Sequence, residues 1–246
     1  MLPAFFNEFE PSVVKASLIV LFKDEVDYAE KTIVALHTTL FNEKIDFEII
    51  AVDDSTDGTW EVLNTLQSRY PNMLIVKGAS KDGDSGYGKA LKKGFSVASG
   101  DIIIPFNGDL SDAPKDALTY ISFMKKGYDM VVGSRFMQGA AITNCPLVKG
   151  FISRLGNQLL QILFHTRCSD ITNSFKAYKK EILDKTDMTE NGYSINMEIA
   201  LSIIKKKHNY TCIPVNWSGR KYGVSKMDLL RTIPSYLKTA IRVRFC

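Results

Sequence analysis

The strongest constraint on this sequence is a repeated alternation of short apolar runs with longer amphipathic segments. The first four runs are ASLIVLF (16–22), DFEIIAV (46–52), NMLIVK (72–77) and DIIIPF (101–106). The stretches between them carry apolar residues at helical spacing. Runs that are apolar almost throughout predict strands buried on both faces, as in a mostly parallel sheet covered by helices. The first half is therefore predicted to be a βαβαβαβ unit of an α/β fold.

Beyond this unit the spacing predicts one more strand at YDMVVGS (128–134) and then a change of pattern. Pro105 lacks an N–H group, so the fourth strand should stop pairing at about that residue. Pro234 should kink or split the last helix. The remaining predicted elements are an amphipathic helix at 147–164, a helix at 195–207, a strand at 210–217 and a basic helical segment at 227–245.

Composition fits one domain with a tail, because 246 residues with 45% hydrophobic and 24% charged residues can bury a large core. No window reaches the roughly 18 apolar residues that a membrane span needs, and the first residues lack a signal peptide pattern. A cytoplasmic protein is expected. The four cysteines form no CxxC pair and the three histidines show no ligand spacing, which favours reduced thiols without a zinc site.

Charge is distributed unevenly along the chain. Residues 1–146 contain 14 Lys and Arg against 20 Asp and Glu, whereas residues 147–246 contain 17 against 7. The basic half predicts an anionic partner, and nucleic acid, anionic lipid headgroups and phosphorylated substrates all satisfy that condition. A solvated basic face without a partner is the alternative.

Polar residues follow three of the predicted strands. Ligands of open parallel sheets bind beyond the carboxyl ends of the strands, so these residues should converge on one edge. The three clusters are Asp53 with Asp54, Asn107 with Gly108 and Asp109, and Gly133 with Ser134 and Arg135.

Two segments rich in glycine or aspartate lie at or after the ends of predicted strands. GDSGYGKA (83–90) satisfies the GxxxxGK pattern of phosphate-binding loops, but Ala90 stands where a Ser or Thr should bind magnesium, which disfavours that function. VDDSTDGT (52–59) could simply cap a helix. Capping does not explain two adjacent carboxylates at the end of a buried strand, because like charges repel unless ligand donors or a cation offset them.

With these segments in place, the chain resembles the family 2 glycosyltransferases, particularly the group that transfers sugars to polyprenyl phosphates. The resemblance runs from about residue 17 to 226 and implies the GT-A fold, a nucleotide-binding α/β sheet continued into an acceptor-binding half. It rests on EIIAVDDSTDGT, on GYGKALKKGFSVASGDIII followed by NGDLSDAP, and on VVGSRF, SDITNSFKAYKKEIL, GYSINMEIAL and RKYGVSK.

The resemblance implies roles for individual residues. Asp109 matches the last acid of the DxD motif, and with Asn107 it would hold Mg²⁺ or Mn²⁺ against the donor diphosphate. The implied donor-binding set is Phe22, Glu25, Asp53, Asp54, Lys89, Asn107 and Gly108. The implied catalytic set is Asp109, Arg135, Glu198, Arg220 and Lys226, and the implied acceptor or phosphate set is Arg135, Ser174, Arg220, Ser225 and Lys226.

Two motifs depart from the family pattern. LFKDE replaces PxYNE, and NGD replaces DxD. An Asn carbonyl oxygen can still bind a hard cation, although the lost charge should weaken metal affinity, and the donor diphosphate supplies negative charge of its own.

The expected function is transfer of a sugar with inversion from a GDP- or UDP-sugar to a polyprenyl phosphate at the cytosolic face of a membrane. An anionic phosphate acceptor needs no strong base. A sugar hydroxyl acceptor would need one, with Glu198 the best candidate. The alternatives are a transferase acting on a glycan or lipid-linked saccharide, and a noncatalytic nucleotide-sugar-binding relative, which Asn107 suggests. No nucleic acid partner is expected.

The expected organisation is a transferase domain over 1–226, with a donor half at about 16–135 and an acceptor half at about 136–226. A basic amphipathic tail at 227–246 follows. The 147–164 helix and this tail could lie on an anionic membrane or bind a membrane-anchored partner. The 147–164 helix could equally be a core helix.

Overall fold

A computed structural model describes residues 14–79, 86–219 and 229–246. The strands are β1 (Ala16–Phe22), β2 (Phe47–Asp53), β3 (Met73–Lys77), β4 (Ile102–Asn107), β5 (Met130–Ser134), β6 (Ile142–Thr143), β7 (Lys176–Lys179), β8 (Tyr210–Pro214) and β9 (Trp217–Ser218). The helices are α1 (Val26–Asn42), α2 (Thr59–Arg69), α3 (Tyr87–Val97), α4 (Pro114–Lys125), α5 (Leu147–Phe164), α6 (Lys180–Leu183), α7 (Ile195–Lys205) and α8 (Leu229–Phe245).

The predicted mostly parallel sheet is confirmed. Seven strands pair in the order β3-β2-β1-β4-β7-β5-β8, and only β7 runs antiparallel to its neighbours. A second, two-stranded sheet joins β6 and β9. Helices α1, α2 and α4 pack on one face of the large sheet, while α3, α7 and α8 pack on the other. The near-continuous Ile and Val runs are buried because helices cover both faces.

Four details differ from the sequence prediction. The antiparallel β7 was not predicted. Pairing of β4 with β1 continues to Asn107, past Pro105, and only the ladder with β7 stops early, at Ile103. The predicted 210–217 strand ends at Pro214, and Trp217 pairs with Ile142 in the small sheet. Pro234 was predicted to kink or split the last helix, and the split is wrong because α8 is one helix that contains this proline, while the kink stays a prediction.

Glu48 ties together the edge of the sheet opposite the predicted site. Its carboxylate accepts hydrogen bonds from the Ser17 hydroxyl at 2.5 Å, the Ser99 backbone N–H at 2.7 Å and the Lys15 Nζ at 3.0 Å. These donors come from before and within β1 and from the turn after α3. Burial opposes the charge of Glu48, but the donors outweigh burial and lower its pKa from 4.5 to about 2.

Glu48→Gln is expected to lower the free energy of unfolding by about 2 kcal/mol at pH 7, because a carboxylate with several donors is replaced by a neutral amide. The folded-state pKa lies below the unfolded one, so the wild-type advantage is present above pH 4.5 and disappears as the pH falls towards 2. Urea unfolding at pH 7, 4 and 3 should show the two curves converging. Glu43→Gln at an exposed position is the control, and a difference that does not change with pH would contradict the assignment.

Candidate active site

A cleft lies at the carboxyl ends of β1 and β4, beside the first turn of α3. We call it the rim cleft. Six of the predicted site residues line it, which brings together segments that are far apart in sequence. The lining residues are Leu21, Phe22, Lys23, Glu25, Asp54, Tyr87, Ala90, Asn107, Gly108, Asp109 and Tyr193.

Gly108 allows β1 and the end of β4 to approach closely. Its N–H donates to the Leu21 carbonyl at 3.0 Å, and its own carbonyl accepts from the Thr32 hydroxyl at 2.8 Å. A Cβ at this position would lie 2.4 Å from the Phe22 ring and 2.7 Å from the Leu21 oxygen. A side chain would therefore force apart the two segments that carry Phe22 and Asp109.

The two adjacent aspartates after β2 have different surroundings. Asp54 lines the rim cleft, whereas Asp53 is 1% exposed and accepts from the backbone N–H and hydroxyl of Ser55. Within the described residues, Asp53 Oδ2 has no hydrogen-bond donor, and Lys77 Nζ lies 3.9 Å away. Burial raises the pKa of Asp53. Asp53 does not line the rim cleft, so its predicted contact with the donor stays a prediction.

Asp109 and Asn107 lie beside a second carboxylate. Asp109 accepts the Ser111 N–H at 3.0 Å, and Asn107 Nδ2 donates to Asp112 Oδ2 at 2.9 Å. Asp112 is 2% exposed. Burial and then the negative charge of Asp109 raise the pKa of Asp112 to about 7. Two carboxylates thus lie close together around Asp109, with little solvent to stabilise their charges.

This chemistry fits the divalent ion that the resemblance implies. Asp109 supplies a carboxylate, and Asn107 supplies the amide oxygen opposite its donating Nδ2. A cation beside them would offset the negative charge around Asp112. Over residues 14–79, 86–219 and 229–246, no group of three or more His, Cys, Asp or Glu side chains is arranged to hold a metal. Further ligands would have to come from a diphosphate and water, as Mg²⁺ sites commonly use.

Arg135 is held in place by a buried ion pair. Its Nε and Nη2 donate to Asp170 at 2.7 and 2.9 Å, and its backbone N–H donates to the same carboxylate at 3.0 Å. The side chain of Asp170 is fully buried. Burial disfavours the guanidinium charge, but Asp170 outweighs that effect and raises the pKa of Arg135. The arrangement fixes a permanent cation near Asp112.

Ser174 lies beside Asn107. The Asn107 Nδ2 lies 3.3 Å from the Ser174 hydroxyl. Ser174 therefore lies within the site, where it contacts protein groups on the donor side. Its predicted role at an acceptor phosphate stays a prediction.

Glu198 lies in a network of its own, and it is not among the residues that line the rim cleft. It is 2% exposed and accepts from the Thr189 N–H and hydroxyl and the Glu190 N–H at 2.6 to 3.1 Å. Arg242 Nη2 also donates to it at 2.9 Å. Both carboxylate oxygens are engaged, so the geometry gives no support to Glu198 as a catalytic base.

The remaining predicted site residues lie elsewhere. Lys89 is in the first turn of α3 but does not line the rim cleft. Arg220, Ser225 and Lys226 lie outside the described residues, so their predicted phosphate-binding roles stay predictions.

Three residues of the site were missed from the sequence. Asp112 is part of the NGDLSDAP segment, and its position three residues after Asp109 was the available signal. Tyr87 and Tyr193 both line the rim cleft with ring centroids 4.8 Å apart. They are 106 positions apart in the sequence and no local pattern links them.

Comparison with known proteins gives relatives of consistent type. A dolichol-phosphate mannosyltransferase of Pyrococcus furiosus is 30% identical over 235 residues, which cover 94% of this chain and 64% of the relative. A polyprenol monophosphomannose synthase of Mycolicibacterium smegmatis is 28% identical over 73% of this chain and 70% of the relative. The chain thus spans slightly less than two thirds of the Pyrococcus protein.

Solved structures give the same fold. Glucosyl-3-phosphoglycerate synthase from Mycobacterium tuberculosis, in complex with Mn²⁺, UDP and phosphoglyceric acid, matches with a TM-score of 0.70 at 17% identity over 94% of this chain and 79% of that one. A crystal structure of the same synthase with Mg²⁺ and UDP matches at 0.68. The fold of this chain is GT-A, as the sequence predicted.

The glycosyl transferase family 2 model matches residues 17–187, which include nearly all of β1, the strands from β2 to β7 and every lining residue of the rim cleft except Tyr193. This match covers well over half of the chain and contains Asp54, Asn107, Asp109 and Arg135 in the order that the sequence motifs indicated. The chain belongs to glycosyl transferase family 2.

Proposed function

We propose that this protein is an inverting glycosyltransferase that moves a sugar from a GDP- or UDP-sugar to a polyprenyl phosphate at a membrane surface. The Pyrococcus relative, of which this chain spans 64%, is named for such an activity. The observation that carries it is the convergence of Phe22, Glu25, Asp54, Asn107 and Asp109 on the rim cleft.

The donor half of the cleft suits a nucleotide diphosphate. Asp54 offers acceptors to a base or ribose in the cleft, and Asp53 lies buried beside it. Asp109 and Asn107 would hold a divalent ion, whose chemistry on binding is to stabilise the charge that develops on a leaving diphosphate. Arg135, fixed by Asp170, adds a positive charge to the same region.

The charge of the acceptor decides whether the reaction needs a general base. A phosphate monoester oxygen is already anionic at pH 7, so attack on the anomeric carbon needs positioning more than a base. Glu198, the candidate base for a hydroxyl acceptor, is fully engaged in protein contacts. This favours the phosphate acceptor over a glycan hydroxyl. We assign Arg220, Ser225 and Lys226 to the acceptor phosphate as part of the proposal.

An apolar surface supports attachment to a membrane. Helix α5 buries only Asn157 and Leu160, and α8 is joined to it by a 3.1 Å hydrogen bond from Arg244 to the Leu163 carbonyl. We call the exposed apolar side chains of the two helices the apolar face. Its members are between 46% and 90% exposed, and they are Leu147, Val148, Phe151, Leu155, Leu159, Ile162, Leu237, Ile241 and Phe245.

The spacing and charge of these helices fit the surface of an anionic bilayer. Phe151, Leu155, Leu159 and Ile162 recur at three- and four-residue intervals, which places them on one side of α5. Residues 147–246 carry ten more basic than acidic residues, by 17 against 7. Apolar side chains at the acyl boundary with cations among the headgroups are typical of interfacial helices. No helix in the described part of the chain is long and apolar enough to span a bilayer.

The activity can be tested directly with labelled GDP-mannose or UDP-glucose, polyprenyl phosphate and Mn²⁺. Transfer of label into the organic phase is expected, and chelation of the metal with EDTA should prevent it. Label that appears in an aqueous glycan when a saccharide acceptor is supplied would support the alternative acceptor. Nucleotide binding without any transfer would support the noncatalytic alternative that Asn107 suggests.

Asp109→Asn tests the metal-side carboxylate. The variant keeps the shape of the side chain but removes the charge, so Mn²⁺-dependent binding of GDP or UDP is expected to weaken by at least about tenfold. Isothermal titration with and without EDTA measures this. Asp184→Asn removes a carboxylate that is 54% exposed directly after the short helix α6, and the variant should bind as the wild type does. Equal nucleotide affinity in Asp109→Asn and wild type would remove Asp109 from the site.

Flotation with vesicles tests the apolar face. Wild-type protein should float with phosphatidylserine-containing vesicles more than with neutral ones. A Phe151→Glu and Ile162→Glu double variant should bind at least about tenfold more weakly, because two apolar side chains can no longer be buried. Phe41→Glu changes a side chain that is 67% exposed on α1 and should have no effect. Unchanged flotation of the double variant, or a wild-type dimer that depends on these residues, would contradict membrane attachment through this face.

A further inference from the structure

Tyr193 forms part of the rim cleft but belongs to a loop, residues 188–194, that leads into α7. Its ring lies beside that of Tyr87, with centroids 4.8 Å apart and planes at 32°. Both tyrosines line the cleft. The position of segment 188–194 therefore determines the shape of this wall of the cleft.

Helix α3 holds one side of segment 188–194. The Gly88 N–H donates to the Asn191 carbonyl at 2.8 Å, and Lys92 Nζ donates to the Asn191 side chain at 2.7 Å. A Cβ on Gly88 would lie 2.6 Å from the Asn191 carbonyl carbon. Glycine is thus required for the segment to approach the helix that carries Tyr87.

Glu198 and Arg242 hold the other side, and we call this pair the clamp. Glu198, on α7, accepts the backbone N–H groups of Thr189 and Glu190 at 3.0 and 2.9 Å. Arg242, on α8, donates to Glu198 at 2.9 Å and to Glu190 at 2.7 Å, and it also donates to the Thr189 hydroxyl. The side chain of Glu198 is 3% exposed and that of Arg242 is 32% exposed, so a largely buried carboxylate depends on this guanidinium.

Two more contacts join α8 to the same segment. The Ser194 and Ser235 hydroxyls are 2.8 Å apart, and the Tyr236 hydroxyl donates to the Tyr193 carbonyl at 3.3 Å. Both bonds end within segment 188–194. Helix α8 thus presents polar groups to the segment, while Leu237, Ile241 and Phe245 of the same helix are exposed.

We propose that Glu198 and Arg242 are positioning residues for the donor. Through segment 188–194 they hold Tyr193 against Tyr87, and nucleotide-sugar affinity depends on that wall. The inference rests on the proposed function in one respect, namely that the rim cleft binds the nucleotide sugar. It assigns Glu198 a role different from that of a general base, and it gives α8 a part in donor binding.

Arg242→Ala is the principal test, with GDP and UDP titrated calorimetrically in the presence of Mn²⁺ and without lipid. Loss of a charged hydrogen-bonding partner should weaken nucleotide binding by about tenfold, while kcat at saturating donor stays within about twofold of wild type. Arg242→Lys, which keeps the charge, should restore part of the affinity. Arg244→Ala removes a guanidinium on the same helix and should bind nucleotide as wild type does. The Arg244 side chain donates to the Leu163 carbonyl of α5.

Glu198→Gln separates positioning from base catalysis. A positioning role predicts a higher donor KM with kcat nearly unchanged, whereas loss of a general base predicts a fall in kcat with donor affinity intact. This variant is close in shape to the wild type, so it also serves if Arg242→Ala does not fold. A kcat loss alone would overturn the inference.

A double-mutant cycle tests whether the clamp acts through Tyr193. If it does, Arg242→Ala combined with Tyr193→Ala should bind nucleotide no more weakly than Tyr193→Ala alone. Fully multiplicative effects, or unchanged affinity in folded Arg242→Ala, would overturn the inference. Nucleotide binding that depends on Arg242 without sugar transfer would leave it standing and remove only the proposed activity. Sugar transfer by Arg242→Ala with an unchanged donor KM would support the proposed activity and overturn the inference.

Discussion

The pairing of β4 with β1 is the contact on which the site depends. These strands are neighbours in the sheet although two other strands separate them in the sequence, so the order of strands reverses at β1. Such a reversal leaves a crevice at the carboxyl ends of the two strands. Gly108 closes the pairing with its bond to Leu21 at 3.0 Å, and the residues on either side of it, Asn107 and Asp109, are thereby delivered to the edge of the crevice.

Two buried groups of polar side chains stabilise this edge in different ways. The Arg135–Asp170 pair is fully partnered and holds its positive charge at fixed geometry. Asp109 and Asp112, in contrast, place two carboxylates close together, and the raised pKa of Asp112 reflects burial and that repulsion. A negative region next to a fixed cation is unfavourable for the protein alone, but it suits a cation bound together with a diphosphate. Local instability of this kind is expected where a ligand completes the site.

The sequence predicted the parallel part of the fold well because each strand there is an uninterrupted apolar run followed by a helix. It did not predict β7, whose sequence KAYK contains the buried Lys176 and has no apolar run. Strand-end position correctly predicted that Asp54, Asn107 and Asp109 share one cleft. It could not distinguish Asp53, which lies beneath the surface, from its neighbour. Tyr193 was not predicted, and the contacts of Glu198 could not be, because the positions of both residues depend on packing between α3, α7 and α8.

The two sides of α8 have different chemistry, and this follows from where the helix packs. Ser235, Tyr236 and Arg242 face a loop whose backbone groups need hydrogen-bond partners, so polar side chains are favourable there. Among the described residues nothing buries Leu237, Ile241 and Phe245, and in water their exposure is unfavourable. A helix that only covered the core would place such residues inward. Their outward position is explained if a bilayer supplies the apolar surroundings, while the polar side of the same helix holds segment 188–194.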